Sequence, residues 1–482
     1  MRPGPGGWRG RLAEDVTVER VRRLASAWGA ALAASPGRRR QGVVVAHDAR
    51  FLANRLGDAA AGELLALGLP VVILSGPVPA PVVACAVVAG RRSGSFYVTG
   101  GDGPAEESGV SILDAAGAPL PVETLKRIDA AARNAATAAG ARPHGGPGSP
   151  RGRRGRKTAH ASPRRLEPTA AYVTRLLRSV PAARVRRGRL RVAADSRHGA
   201  GSGYLRAALG RCASVVEALH DTPRPDFAGL APACGDPELK SFGRVVRRAR
   251  ARLGLAIDAD GTHCAVVDER GAPVPPGALA ALVADRLLAE DRSPGGVARS
   301  VAATHLLDDV AASHGRPLVE VPFGAAPLAA ALGAGAGLAV DESGGLALGS
   351  HARMPDGILL ALLATELAAR DKRPLREQIF DLQRRLGPRL GRRIDYHVDP
   401  VARERALARL RDVPSRFAGR KVSAVAADDA RKWILADGSW VLFRATAEGG
   451  PLRCHLEARS LRDLEAMTAA ARDWVTRGES SS

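Results

Sequence analysis

Residues 97–104 read Tyr97-Val98-Thr99-Gly100-Gly101-Asp102-Gly103-Pro104, an apolar run that opens into a glycine-rich turn. Upstream lies Val43-Val44-Val45-Ala46-His47-Asp48-Ala49-Arg50, and downstream lies Glu106-Glu107-Ser108-Gly109-Val110. Glycine, aspartate and proline favour turns because their backbones or side chains adopt turn geometry at little cost. Taken alone, this segment is typical of a surface turn, so its meaning depends on the other motifs of the chain.

Length and composition indicate a multidomain protein. The chain has 482 residues, of which 45% are hydrophobic, which is enough for three or four domains that each bury a core. It has no uncharged apolar run of eighteen or more residues, and residues 1–7 lack the apolar region of a secretory signal. We therefore expect a cytoplasmic protein with no membrane partner.

The cysteines and the basic residues point to no special chemistry. Five well-separated cysteines with no C-x-x-C pair argue against both a disulfide framework and a zinc site.

The net charge is +22, and residues 139–165 form a stretch rich in Gly, Pro, Ser and Arg with few large apolar residues. Such a stretch buries too little surface to offset the entropy of ordering, so we predict a disordered linker. Nucleic acid is a less favoured partner for it, because no aromatic residue interleaves the charges.

The order of apolar segments predicts repeated α/β units. Short β-branched runs at 42–45, 71–74 and 191–194 neighbour Ala- and Leu-rich stretches such as 59–67 and 204–209. Strands that alternate with helices favour mixed or parallel sheets covered by helical layers. The last quarter differs, because the strand-like runs 432–435 and 440–444 flank the turn signal Asp437-Gly438. That pattern predicts a hairpin in a smaller C-terminal domain.

Together, the motifs resemble the α-D-phosphohexomutases, the family of phosphoglucomutase and phosphomannomutase. In that family the glycine-rich loop reads T-A-S-H-N-P, and its serine carries the phosphoryl group. The register places Gly101 at the serine and Asp102 at the histidine. Residues 7–10, Gly-Trp-Arg-Gly, match the family's N-terminal motif, which implies that Arg9 lies at the floor of the active site. The position of the nucleophile has no side chain.

The metal loop that the resemblance implies is incomplete. Residues 258–263 read Asp-Ala-Asp-Gly-Thr-His, where the family has D-G-D-A-D-R. Asp258 and Asp260 remain as candidate ligands, while Thr262 replaces the third carboxylate. Mg²⁺ requires several oxygen ligands in near-octahedral geometry, so we expect weak binding at most. A polar turn after a buried strand is an equally good reading of these two aspartates.

Three substrate loops also match in part. Residues 340–345 resemble the sugar loop G-E-E-S-G, with Asp341 at its first carboxylate and Ser343 at its serine. At 444–450 the spacing matches the phosphate loop R-P-S-G-T-E-P, which leaves Arg444 and Thr446 as phosphate ligands. Glu448 would repel a phosphate by about 1 kcal/mol in water-like surroundings and by about 4 kcal/mol at an effective dielectric near 20. The loop at 322–326 resembles P-V-G-F-K but ends in Ala326, without the lysine.

The resemblance implies a four-domain α/β architecture, three related α/β domains followed by a smaller α+β domain. We expect domains at 1–138, 166–270, 271–388 and 389–482, with the linker at 139–165. Because the substitutions fall in every functional loop, we predict a degenerate homologue that binds a sugar or sugar phosphate without transferring phosphoryl groups. The alternatives are an active mutase of altered mechanism that uses Asp102 or a bound bisphosphate, and a regulatory or structural partner protein. The sequence assigns neither a particular sugar nor an oligomeric state.

Overall fold

Four sheets organise the chain. The structure is a computed structural model that describes residues 1–140, 162–426, 431–446 and 450–476. Its sheets have seven, four, four and six strands in chain order, and helices cover the first three. The predicted architecture of three α/β domains and a smaller sheet-rich C-terminal domain is therefore confirmed. Over the described residues, every helix is too short or too polar to cross a bilayer.

The first domain is built on the β-branched runs that the sequence predicts. Its sheet has the order β1-β2-β6-β5-β3-β4-β7, with β3 parallel to β4 and β5. Residues 43–46 are buried because helices pack on both faces of the sheet. The elements are β1 (Arg2–Gly4), β2 (Gly7–Arg11), α1 (Val18–Ala33), α2 (Pro36–Gln41), β3 (Val43–His47), α3 (Ala53–Ala66), β4 (Val71–Pro77), α4 (Ala80–Ala89), β5 (Gly94–Val98), β6 (Glu107–Asp114), α5 (Val122–Gly140) and β7 (Arg164–Leu166).

The end of the predicted linker is ordered. Arg164 and Arg165 lie in β7, which pairs in parallel with β4 at the edge of the first sheet. The linker therefore ends earlier than predicted, because the backbone of these residues gains sheet hydrogen bonds that do not depend on apolar side chains. Residues 141–161, which hold most of the predicted linker, lie outside the described part of the chain.

The second domain carries the predicted metal loop at the end of a central strand. Its sheet has the order β11-β10-β8-β9, in which β10 is parallel to β8 and antiparallel to β11. The loop 258–263 joins β10 to β11, so the end of a buried strand places its side chains. The elements are α6 (Thr169–Ser179), α7 (Ala182–Arg187), β8 (Arg191–Asp195), α8 (Tyr204–Leu209), β9 (Ser214–Leu219), α9 (Asp236–Arg248), β10 (Leu253–Ile257) and β11 (Cys264–Asp268).

The third domain repeats this plan and carries the predicted sugar loop. Its sheet has the order β13-β12-β14-β15, and the loop 341–345 joins the antiparallel strands β14 and β15. Asp356 caps the buried helix α13 by accepting bonds from the N–H groups of Ile358 and Leu359. The elements are α10 (Pro276–Ala289), β12 (Gly296–Ser300), α11 (Leu306–Ser313), β13 (Leu318–Val321), α12 (Ala325–Gly333), β14 (Ala336–Val340), β15 (Leu346–Leu348), α13 (Gly357–Arg370) and α14 (Leu375–Leu386).

The C-terminal domain is an antiparallel sheet with two helices. The strand order is β16-β21-β20-β19-β18-β17, and β19 and β20 form the hairpin that the sequence predicts around Gly438. Gly438 adopts φ +79°, the left-handed conformation that glycine reaches without strain. The elements are β16 (Leu390–Tyr396), α15 (Pro400–Arg409), β17 (Arg416–Phe417), β18 (Arg420–Ala426), β19 (Arg431–Leu435), β20 (Trp440–Ala445), β21 (Leu452–Ala458) and α16 (Leu461–Thr476).

Candidate functional site

Arg50 organises the glycine-rich loop between β5 and β6. Its buried guanidinium donates to the carbonyl oxygens of Gly101 (2.8 Å) and Gly103 (2.7 Å), and also to that of Pro104. Asp48 accepts from Arg50 Nε (3.1 Å) and from the Gly100 N–H (3.0 Å). A Cβ atom at Gly100 would overlap the Arg50 guanidinium, so only glycine fits there. The loop is therefore held rigidly around a buried ion pair.

Gly101 faces the residues that would surround a nucleophile. It adopts φ +63°, and a Cβ atom built on it would lie 3.4 Å from Arg9 Nη2 and 3.8 Å from Asp260 Oδ2. Arg9 donates to the carbonyl oxygen of Trp8 (2.9 Å), and its burial lowers its pKa, although an arginine stays protonated at neutral pH. Asp102, beside it, is exposed. Position 101 therefore carries no side chain, and a guanidinium and a carboxylate lie beside it.

The two aspartates of the metal loop are already hydrogen-bonded. The Thr262 hydroxyl lies 3.0 Å from Asp258 Oδ2 and 2.7 Å from Asp260 Oδ1. His263 Nδ1 lies 2.9 Å from Asp258 Oδ2, and the His263 N–H donates to Asp258 Oδ1 (3.1 Å). Burial and the charge of Asp258 raise the pKa of Asp260 to about 7. Two carboxylates and one hydroxyl, whose single hydrogen goes to one of them at a time, form an incomplete ligand set for Mg²⁺.

His263 bridges the metal loop and the sugar loop. Its Nε2 lies 2.8 Å from Asp341 Oδ2, while its Nδ1 contacts Asp258. Burial acts to lower the pKa of His263, but Asp341 and Asp258 outweigh it and raise that pKa well above its ordinary value. The resulting imidazolium already supplies a positive charge beside Asp258, so these residues are a poor ligand set for Mg²⁺ and would hold the ion weakly at most. Within residues 1–140, 162–426, 431–446 and 450–476, no group of three His, Cys, Asp or Glu side chains is placed to hold a metal.

The carboxylate of the predicted sugar loop, Asp341, is already hydrogen-bonded to other groups of the protein. Asp341 Oδ1 accepts from the N–H groups of Ser343 (2.8 Å) and Gly345 (2.8 Å), and Oδ2 faces His263. Burial opposes ionisation, but the charge of His263 dominates and keeps the pKa of Asp341 below its usual value. Ser343 is exposed at the tip of the turn. The predicted role of Asp341 as an acceptor for sugar hydroxyls therefore competes with an existing bridge.

The predicted phosphate loop keeps one cation in place. The Arg444 guanidinium lies over the Phe323 ring, 4.0 Å from its centroid, and Arg444 Nη2 is 3.6 Å from Glu342 Oε1. The Thr446 hydroxyl donates to the Pro451 carbonyl oxygen (2.7 Å). Because that bond uses the hydroxyl hydrogen, Thr446 must break it before it can donate to a phosphate oxygen. Glu448 lies outside the described residues, so the predicted repulsion stays a prediction.

Contacts between side chains connect these loops. Position 101 faces Asp260, His263 joins Asp258 to Asp341, and Glu342 contacts Arg444. Sequence reasoning gave no role to His263, Arg50 or Glu342. The signal for His263 is its register, because it occupies the arginine position of the family's metal motif and so retains a cation there.

His455 in β21 makes the C-terminal domain sensitive to acid. Burial, together with the charges of Arg444 and Arg453, lowers its pKa from 6.5 to about 3. The unfolded chain binds the proton first, so this residue's contribution to stability is full above pH 6.5 and is lost as the pH falls toward 3. We expect the wild type to lose about 2 kcal/mol through this group between pH 7.5 and pH 5. The variant His455→Gln should show a smaller pH dependence of its unfolding free energy in urea titrations at the two values.

The control for this prediction is His397→Gln, because His397 is exposed in the same domain. That variant should keep the full pH dependence of the wild type. Equal pH dependence in the wild type and in His455→Gln would contradict the assignment.

Comparisons with known proteins find relatives that match most of the chain. A phosphoglucomutase/phosphomannomutase from Thermococcus kodakarensis is 26% identical over 458 residues, which cover 95% of this chain and 94% of the relative. A phosphoglucosamine mutase from Salinispora arenicola is 28% identical over 375 residues, 77% of this chain and 79% of the relative. A crystal structure described as a phosphomannomutase from Thermus thermophilus superposes with a TM-score of 0.81 at 26% identity, covering 98% of this chain and 99% of the other.

A more distant structure shares the fold alone. It is the N-acetylphosphoglucosamine mutase of Aspergillus fumigatus in complex with GlcNAc-6P and magnesium, with a TM-score of 0.53 at 13% identity over 99% of this chain and 95% of the other. Family models for the α/β/α domains I, II and III of phosphoglucomutase/phosphomannomutase match residues 1–139, 170–271 and 275–386. The chain belongs to the phosphoglucomutase/phosphomannomutase family.

Proposed function

We propose that this protein binds a sugar or sugar phosphate in its central cleft and does not transfer phosphoryl groups. One observation carries the proposal, namely that position 101 has no side chain while Arg9 and Asp260 still surround it. A covalent mechanism that loses its nucleophile loses up to about 10⁶ in turnover in the known case of subtilisin. Binding depends on other groups and is retained where those groups remain.

The charges of the cleft support binding of an anion without catalysis. Arg9 and Arg444 remain as cations, and Arg is well matched to phosphate oxygens. Thr262 and Ala326 replace a carboxylate and a lysine of the family motifs. The His263 imidazolium offsets the charges of Asp258 and Asp341 where a divalent ion acts in the family. This geometry supports only weak binding of Mg²⁺, and the cleft's own residues supply the charge that a sugar phosphate requires.

A second candidate function is an active mutase that uses Asp102. Asp102 acts electrostatically on Arg9, Asp260 and Arg453, so its charge reaches the cleft from the position next to Gly101. In such a step, a carboxylate oxygen of Asp102 bonds to phosphorus, the bond from phosphorus to the sugar oxygen breaks, and the departing alkoxide takes a proton from water. Burial of Thr99 and its bond from the Gly101 N–H (2.9 Å) disfavour Thr99 as the nucleophile.

Binding is tested by isothermal titration with glucose 6-phosphate and mannose 6-phosphate. We expect one of them to bind, and Arg444→Ala to weaken its binding by about tenfold or more, since a charge-assisted hydrogen bond contributes about 1.5–3 kcal/mol. The matched control is Arg462→Ala, an exposed arginine on α16, which should bind like the wild type. Absence of binding by both ligands would contradict the proposal.

Placing a serine at position 101 tests whether the missing nucleophile alone prevents phosphoryl transfer, or whether the changes in the other loops prevent it as well. In Gly101→Ser, the left-handed backbone conformation at position 101 costs about 1–2 kcal/mol. The added Cβ atom overlaps no neighbouring atom, so we expect the variant to fold. Because the lysine and the third carboxylate remain absent, no steady turnover of hexose 1-phosphates should appear. Intact-mass spectrometry after incubation with glucose 1,6-bisphosphate should show no phosphoprotein for the wild type. A stable adduct that disappears in Asp102→Ala would favour the second candidate.

A further inference from the structure

A pocket lies where the first domain meets the second. It has a volume of about 620 Å³ and opens between α4, β7 and α6. Volumes of about 300–1,000 Å³ are typical of small-molecule sites. The inner wall is apolar and buried, formed by Val44, Val72, Leu74, Val82, Cys85 and Tyr172. Alanines and the half-exposed Leu166 line the mouth, so apolar surface continues outward.

Four arginines surround the mouth of this pocket, namely Arg92, Arg164, Arg175 and Arg178. Arg92 donates to the carbonyl oxygen of Gln41 (3.0 Å), and Arg175 Nε donates to that of His351 (2.9 Å). Arg164 and Arg178 are exposed. In the part of the chain that the structure describes, none of the four forms an ion pair with a carboxylate. An apolar interior with an uncompensated positive rim is complementary to a ligand with an apolar body and an acidic head.

We propose that this pocket binds a monomeric amphiphilic anion, whose hydrocarbon chain enters the apolar interior and whose carboxylate, sulfate or phosphate group meets the arginine rim. Burial of the chain supplies the hydrophobic part of the affinity, and guanidinium groups bind planar or tetrahedral oxyanions through paired N–H donors. Residues 141–161 are a poor occupant on grounds of charge, because they carry six arginine and lysine residues and no acidic residue. The proposal is independent of the function proposed for the central cleft.

The test is isothermal titration of the full chain with decyl sulfate, at concentrations below the critical micelle concentration of the detergent. We expect one molecule to bind per chain, and decyltrimethylammonium, which has the same chain and the opposite charge, not to compete. The double variant Arg164→Glu and Arg178→Glu should weaken binding of decyl sulfate at least tenfold. Both residues are exposed, so the variant should fold and should still bind glucose 6-phosphate if the wild type does.

A filling variant and a control variant locate the site. Ala171→Trp places a large ring at the mouth and should abolish binding, while Arg462→Glu, on the far C-terminal domain, should leave it unchanged. Equal affinity of the rim variant and the wild type, equal binding of the cationic detergent, or no binding of decyl sulfate would overturn the proposal. Retention on phosphatidylglycerol vesicles without binding of the monomeric probe would also overturn it, because it would indicate a lipid surface as the ligand.

Discussion

Replacing Arg50 by methionine is expected to lower the free energy of unfolding by about 3–5 kcal/mol, as removal of one partner from a buried ion pair does. The Arg50 and Asp48 side chains are 1% and 4% exposed, and Asp48 would keep only backbone donors. The carbonyl oxygens of Gly101, Gly103 and Glu107 would lose a donor at the same time. Urea unfolding of the variant should show this loss directly.

The control for Arg50 is Arg55→Met on α3. Arg55 is exposed, so its replacement should change the stability by less than about 0.5 kcal/mol. If Arg50→Met were as stable as Arg55→Met, the glycine-rich loop would not depend on the buried ion pair. Amide exchange at residues 100–107 gives a second readout, and we expect it to accelerate in Arg50→Met alone.

Replacing Lys432 by methionine should uncouple the unfolding of the C-terminal domain from that of the third domain. Lys432 is fully buried, and its Nζ donates to the Val301 carbonyl oxygen (2.7 Å) and to Glu320 Oε2 (2.7 Å). It also lies 4.8 Å from the Trp440 ring centroid. Burial and the charge of Arg299 lower the pKa of Lys432 to about 8, so Lys432 is charged in most molecules at neutral pH. We expect a loss of about 3 kcal/mol, since Glu320 and Val301 lose a buried donor.

The loss should appear as an earlier, separate unfolding step of the C-terminal domain in calorimetry. Lys421→Met is the matched control, because Lys421 is exposed on the neighbouring strand β18. A single cooperative transition at the wild-type temperature in Lys432→Met would show that the two domains do not depend on this contact.

Local patterns of the sequence predict the strands and the hairpin correctly. β3 and β4 follow from runs of β-branched residues, and the β19–β20 hairpin follows from Asp437-Gly438 between two apolar runs. Each of these elements depends on residues that are near one another in the chain. The order of motifs then places the loops at strand ends, which is enough to predict one shared cleft.

Long-range pairing explains what sequence reasoning misses. His263 contacts Asp341, which lies 78 positions further along the chain, and no local sequence pattern predicts this contact. The strand β7 forms from arginine-rich residues because its backbone pairs with β4, which side-chain patterning does not encode. The Thr446 hydroxyl likewise donates to the Pro451 carbonyl oxygen, a bond that its sequence motif does not indicate. Contacts of this kind decide which family residues remain free to act.

The most direct test of the central claim is phosphorus NMR of glucose 1-phosphate and mannose 1-phosphate at high protein concentration. The samples contain Mg²⁺ and a catalytic amount of the corresponding hexose bisphosphate. Because position 101 carries no side chain, we predict that no 6-phosphate signal appears, while the resonance of a bound ligand broadens. Steady growth of a 6-phosphate resonance, lost on removal of the protein, would contradict the account and show that the chemistry has moved to another residue.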